Sequence, residues 1–115
     1  MNFQIHRNGT TPIAELTGEL LLESVGDFLD LLANAPSSSI VIKKSAIHES
    51  FFDLRTQFAG EIMQKVTNYG VRMGIVGDFS IYSSKSLADF MRESNRSNRV
   101  VFVETVDEAL RRLDG

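Results

Sequence analysis

The chain has 115 residues, with 12 basic against 15 acidic side chains, a formal net charge of −3 and no cysteine. That length points to one domain around one core. The missing cysteines exclude disulfide scaffolds, cysteine-ligated zinc, iron–sulfur centres and thiol catalysis, and the mild acidity argues against nucleic-acid binding driven by overall charge.

At the N-terminus, Phe3 and Ile5 alternate with polar neighbours, Arg7-Asn8-Gly9-Thr10 supplies a turn, and Ile13, Ala14 and Leu16 follow. Asn-Gly between two short apolar stretches is a strong hairpin signal, because both residues tolerate positive φ. Two antiparallel strands are predicted, and Pro12 suggests that the second begins at, or lies near, a sheet edge, since proline cannot donate a ladder hydrogen bond. The same stretch lacks the long apolar run of a secretory signal, and Leu20-Leu21-Leu22 is far too short to span a bilayer. The expectation is a soluble cytoplasmic protein.

A helix is predicted next, capped by Ser24, with Val25, Phe28, Leu29 and Leu32 at helical spacing and an end at Asn34-Ala35-Pro36. Ile40-Val41-Ile42 is β-branched and wholly apolar, which suits a strand buried on both faces. Lys43-Lys44 opens a long connection through His48, Glu49 and Ser50. A second helix is expected from about Arg55 to Tyr69, with Phe58, Ala59, Ile62, Val66 and Tyr69 on its core side and Gly70 as its stop. Val71, Met73, Ile75 and Val76 form a further strand, followed by Gly77-Asp78-Phe79-Ser80. Leu87, Phe90 and Met91 mark a third helix within Ser83–Asn95. Val100-Val101-Phe102-Val103 is the last strand, and Thr105-Val106-Asp107-Glu108 reads as the capping box of a helix lined by Val106, Ala109, Leu110 and Leu113. The reading is a single α/β domain: a mixed sheet of about five strands, in the order ββαβαβαβα, with flanking helices.

This order resembles the STAS, or anti-sigma-factor-antagonist-like, fold. The likeness is carried by Ile40-Val41-Ile42, the loop Phe52-Asp53-Leu54, and Tyr69-Gly70-Val71-Arg72-Met73-Gly74-Ile75-Val76-Gly77-Asp78. Antagonist-type STAS domains place a phosphorylatable serine directly after the loop aspartate. Leu54 stands there in this chain, so the resemblance implies the fold and not the phosphorylation switch. Nearly the whole length is also similar to a bacterial family of domains of unknown function, family 4180, through Phe51-Phe52-Asp53-Leu54, Ala59-Gly60-Glu61-Ile62, Ile75-Val76-Gly77-Asp78-Phe79-Ser80 and Ser84-Lys85-Ser86-Leu87. That family implies no activity.

Ligands of open α/β sheets gather outside the carboxyl ends of the strands. Two connections qualify, 43–56 and 77–86. Parallel pairing of the strands before them would bring Lys43, Lys44, His48, Glu49, Asp53, Arg55, Asp78, Ser80, Tyr82 and Lys85 within reach of one another. Ser80, Ser83, Ser84 and Ser86 with Lys85 crowd a helix start, where an anion could sit; one serine acting as an N-cap explains the same cluster. Asp53 is expected to cap the second helix and Asp78 to shape a tight turn. Consecutive Phe51 and Phe52 can hardly enter one core pocket, so one of them is expected to be exposed and to favour a partner.

No phosphate-loop, dinucleotide or nucleophile-elbow motif occurs. An acid–base site can be imagined from His48 with Asp53 or Glu49, although a histidine in a polar loop is more often a surface residue. Adjacent His48 and Glu49 rarely converge on a metal and His6 is distant in sequence, so no cofactor or metal is expected.

Two functions remain. The favoured one is a non-enzymatic regulatory or protein-interaction module, with Phe51, Phe52, Asp53, Arg55, Thr56, Asp78, Ser80 and Lys85 as its candidate surface and Thr56 or Ser80 as control points. The other is a binder of a small anionic or phosphorylated metabolite, or a minor enzyme, using the same crevice. A homodimer is compatible with the antiparallel edge; nucleic-acid and membrane partners are not expected. Charge is also segregated: before Lys43 one basic residue faces five acidic ones, and from Lys43 onward 11 basic face 10 acidic. The candidate crevice therefore lies in the slightly cationic part.

Overall fold

The computed structural model describes residues 1–7 and 9–114. Five strands, β1 (Asn2–His6), β2 (Ile13–Thr17), β3 (Ser39–Lys43), β4 (Arg72–Val76) and β5 (Val100–Val103), form one sheet in the order β1-β2-β3-β4-β5. The first pair is antiparallel, with Gln4 opposite Glu15, and every later pair is parallel. Asn8 of the expected Asn-Gly turn lies outside the described residues. Proline sits just before β2, where its missing N–H costs the ladder nothing.

Helices α1 (Val25–Asn34), α2 (Phe58–Asn68) and α3 (Lys85–Ser97) connect successive parallel strands, and α4 (Val106–Leu113) follows β5. Right-handed crossovers that advance one way across a sheet all fall on the same face. Accordingly α1, α2 and α3 share the larger core, where Phe28, Leu31, Ile62, Val66 and Leu87 meet Ile40, Ile42, Met73, Ile75 and Phe102. The opposite face carries the smaller core, in which Ala109 and Leu113 of α4 pack with Val41, Val76, Val101 and Val103. Strands β3 and β5 are thus clad on both faces, which is why their sequences are continuous apolar runs.

The caps follow from local chemistry. Ser24 Oγ accepts from Asp27 N at 3.1 Å, and the Asp27 carboxylate accepts from Glu23 N at 2.9 Å. Thr105 Oγ1 accepts from Glu108 N at 3.1 Å, and Ser84 Oγ from Leu87 N at 3.2 Å. At the far ends, the Arg72 guanidinium donates to the carbonyls of Asn98, Leu113 and Arg112, and Arg112 donates to the Asn95 carbonyl, so two arginines close the C-termini of α3 and α4.

Three expectations need correction. Helix α2 starts at Phe58, because residues 54–56 form a separate 3-10 turn and Gln57 enters the helix in the left-handed region with φ 63°. Tyr69 is 62% exposed as the C-cap, beyond the turn that faces the core. Helix α3 is shifted two residues C-terminally, because Ser84 rather than an earlier serine provides the cap.

Candidate functional site

Parallel pairing of β3 with β4, with Lys43 opposite Val76, sends both candidate connections out of the same end of the sheet. The first connection is three short 3-10 turns, Lys44–Ala46, Glu49–Phe52 and Leu54–Thr56. It is fastened to the segment after β2 by the hydrogen bonds Leu22 N to Ala46 O and His48 N to Leu22 O. His48 Nδ1 accepts from Ser50 N at 3.1 Å, which makes this exposed histidine a turn cap.

This winding buries both Phe51 and Phe52, with 1% and 5% of their surface exposed. The expectation that one would face a partner is therefore corrected. In a 3-10 turn consecutive side chains splay about 120° apart, and here two different aromatic neighbourhoods receive them. Phe51 lies 6.2 Å from Phe28 and 5.8 Å from Phe58 between ring centroids. Phe52 stacks on Tyr82 at 5.1 Å and lies 5.9 Å from Phe79.

Above that second cluster sits an ion pair. Lys44 Nζ donates to Glu49 Oε1 at 3.2 Å, and the Tyr82 hydroxyl lies 3.0 Å from both carboxylate oxygens of Glu49. The ammonium is also 5.5 Å from the Phe52 ring and 5.1 Å from the Tyr82 ring, within cation–π range. Gly77 makes this possible: a Cβ there would stand 2.6 Å from Lys44 Cβ, so only glycine lets the end of β4 pass the lysine stem.

The Tyr82 hydroxyl, foremost, and the Glu49 carboxylate hold the Lys44 ammonium above its ordinary range against partial desolvation. Desolvation is the largest single influence on Glu49 and pushes it up, but hydrogen bonds from Lys44 and Tyr82 with the lysine charge bring it below the usual range. Desolvation, then Glu49, raise the Tyr82 phenol. Near neutral pH all three groups are therefore held firmly in one protonation state, an arrangement suited to a fixed ion pair and ill suited to proton transfer.

The other candidates pair locally. Asp53 accepts from Arg55 N at 3.1 Å, Nε at 3.0 Å and a terminal guanidinium nitrogen at 2.9 Å, and these bonds, led by the side-chain ones, lower its pKa. It caps the Leu54–Thr56 turn and not α2, so Arg55 belongs to that turn as well. Asp78 accepts from Ser80 Oγ at 2.6 Å and Ser80 N at 2.9 Å, which keeps its carboxyl low and shapes the turn as expected. Lys85 reaches Asp89 at 3.4 Å on α3. Thr56 Oγ1 donates within its loop, with Ser50 O at 2.7 Å and Asp53 O at 2.8 Å as acceptors, and accepts from Phe58 N at 3.2 Å.

Of the predicted surface, then, Phe52 and Asp78 come to the Lys44 neighbourhood, whereas Asp53, Arg55 and Lys85 form pairs of their own. The sequence placed Lys44, Glu49 and Tyr82 only among ten residues expected at one sheet end; with 33 residues between Glu49 and Tyr82, no local spacing singles out the three.

Two open clefts flank this end. One, of about 640 Å³, is lined by Glu15, Thr17, Glu19, Leu21, Lys43 and Ser45 among others. The second, of about 380 Å³, lies between Lys43, Lys44, Ser45, Gly77, Asp78 and Ile81. Lys43 and Ser45 border both. Leu21 and Ile81, 45% and 64% exposed, are large apolar side chains bordering the two clefts. Among the described residues no group of three or more His, Asp or Glu could hold a metal ion, and no helix is long and apolar enough to cross a membrane.

A family model, the domain of unknown function DUF4180, matches residues 8–113. No curated protein and no solved structure matches the chain. The protein belongs to the DUF4180 family.

Proposed function

We propose that this DUF4180 chain is a non-enzymatic regulatory or protein-interaction module that binds its partner at the carboxyl end of the parallel strands. The observation that carries the reading is the pairing of exposed Leu21 and Ile81 on either side of the Lys43–Ser45 strip. Large exposed apolar side chains set close together among polar groups are what a protein contact uses, and a scattered exposed leucine elsewhere would carry no such weight. The ion pair beneath supports it, because Lys44, Glu49 and Tyr82 are already ordered and lose little freedom on binding.

The anionic-metabolite reading is weaker, since Glu15 and Glu19 share the larger cleft with Lys43 and Asp78 shares the smaller one. Thr56 and Ser80 remain the proposed control points. A phosphate adds roughly −1.5 to −2 charges. On Ser80 it would displace the bond to Asp78 and repel that carboxylate; on Thr56 it would remove the hydroxyl from three loop hydrogen bonds.

The test is affinity capture from the native host with the wild type, the double variant Leu21→Asp/Ile81→Asp, and Tyr69→Asp as an exposed apolar control elsewhere. Proteins recovered with the wild type and the control, and reduced at least tenfold with the double variant, support the reading. Equal recovery with all three overturns it.

A further inference from the structure

The two edges of the sheet are finished differently. On β5, the Asn95 side chain of α3 accepts from Phe102 N at 2.6 Å and donates to Phe102 O at 3.2 Å, taking both main-chain groups of that residue as a neighbouring strand would. Ser94 Oγ donates to the Val100 carbonyl. The Val100 and Phe102 carbonyls and the Phe102 N–H, all facing away from β4, are thus occupied by side chains, a recognised way of closing a sheet edge.

Strand β1 has none of these devices. Its sequence, Asn2-Phe3-Gln4-Ile5-His6, has no proline, lysine or carboxylate, and among the described residues it pairs with β2 alone. The three crossovers span the intervals from β2 to β5, and α4 packs chiefly on β3, β4 and β5, with only Leu110 and Arg111 of α4 lining a small cleft beside His6 of β1. Ile5 is half-buried yet packs into neither core, and Phe3 touches the larger core only as a partly buried margin residue.

We propose that β1 is the contact between two copies of this chain, paired antiparallel across a two-fold axis at Gln4. The strand is self-complementary in that register. Phe3 of each copy stands opposite Ile5 of the other on the helix-bearing face, where both are under-covered, and Asn2 stands opposite His6 on the polar face. Within Asn2–His6 no like charges are brought together; only just beyond the strand ends does Met1 of one copy stand opposite Arg7 of the other. About four to six main-chain hydrogen bonds form along the five residues. The assembly is closed: pairing β1 with β1 consumes both open edges and leaves only the two β5 edges, each already occupied by Asn95 and Ser94. That closure, with the matched Phe3–Ile5 contacts, favours a second copy over a foreign extended peptide. The proposal is independent of the strand-end surface.

The chain contains no cysteine, so an introduced thiol reports one position without interference. Gln4→Cys places the two thiols opposite each other at Cα separations of about 4.5–5.5 Å, which a disulfide can span. Asn2→Cys leaves its two copies roughly 13 Å apart at about 3.3 Å per residue. Under mild oxidation Gln4→Cys is expected to form the covalent dimer at least tenfold faster than Asn2→Cys or the exposed α3 control Ala88→Cys. In light scattering, the wild-type mass should double with concentration, and Ile5→Lys should move that midpoint up at least tenfold with an unchanged circular dichroism spectrum. A monomer mass at every concentration, including one that binds some other protein's strand, overturns the proposal. So does Gln4→Cys reacting no faster than the two controls.

Discussion

The half of the sheet made by β3, β4 and β5 and the half made by β1 and β2 use the same backbone geometry and are stabilised differently. In the first half, crossover helices cover one face and α4 the other, the strand-edge groups are bonded by Asn95 and Ser94, and the C-termini of α3 and α4 are closed by Arg72 and Arg112. In the second half one face is shared with the core while the other carries the half-buried pair His6–Glu15, 2.8 Å apart, reached only by Leu110 and Arg111 of α4 across a small cleft. The difference teaches where this fold has committed its stability and where it has left surface for contact. A substitution that changes volume or bonding should cost more in the clad half than in the open half.

The largest effect should come from Gly74→Val on β4. Even the first carbon of a side chain there would stand 3.0 Å from Ala109 Cβ and 3.5 Å from Leu113 Cδ1, so α4 must shift off the sheet. Overpacking of this kind costs about 1–3 kcal/mol, and urea unfolding should place Gly74→Val at the upper end. Smaller full-length losses would mean that α4 is a loosely held cover, and the contrast between the halves would shrink.

The two edges give the next comparison. Asn95→Ala leaves the partly buried Phe102 N–H without its acceptor, which should cost about 1–2 kcal/mol and expose a second pairing edge, seen as concentration-dependent aggregation. Gln4→Ala, on the open edge, should stay within about 0.5 kcal/mol. Equal losses from both would show that β5 gains nothing from its side-chain bonds.

The smallest effect concerns the strand-end cluster and is read by pH. Lys44 and Tyr82 both have raised pKa values in the folded protein, so each contributes stability below its ordinary value of 10.5 or 10.0 and loses that contribution as pH rises through the folded value. Glu49 is lowered and acts in the opposite sense, losing its contribution as pH falls below the ordinary 4.5. Tyr82→Phe removes the phenol titration and the main support of the Lys44 ammonium. Thermal midpoints of that variant should therefore fall less steeply than wild type above about pH 10, with a neutral-pH change of about 0–1 kcal/mol, the range of exposed ion pairs. An unchanged alkaline slope would detach the cluster from stability.

The sequence by itself determined the element order, the placement of the apolar strands and most helix caps. Ser24 and Thr105 were legible because capping is a contact between residues three apart, and Ile40–Ile42 because burial on both faces writes itself as an unbroken apolar run. Local signals misled where the chain turned tightly. Two adjacent phenylalanines look incompatible with one core until a 3-10 turn aims them at separate neighbours, and Arg55 looks helical until Gln57 breaks the run with a positive φ. Only the tertiary structure decided the rest. Parallel β3 and β4 brought Tyr82 onto Glu49 and Lys44, packing helix α3 against β5 set Asn95 on Phe102, and one-way crossovers left β1 uncovered. None of these has a spacing in the sequence, because each joins residues through the order of strands in the sheet and not through their distance along the chain.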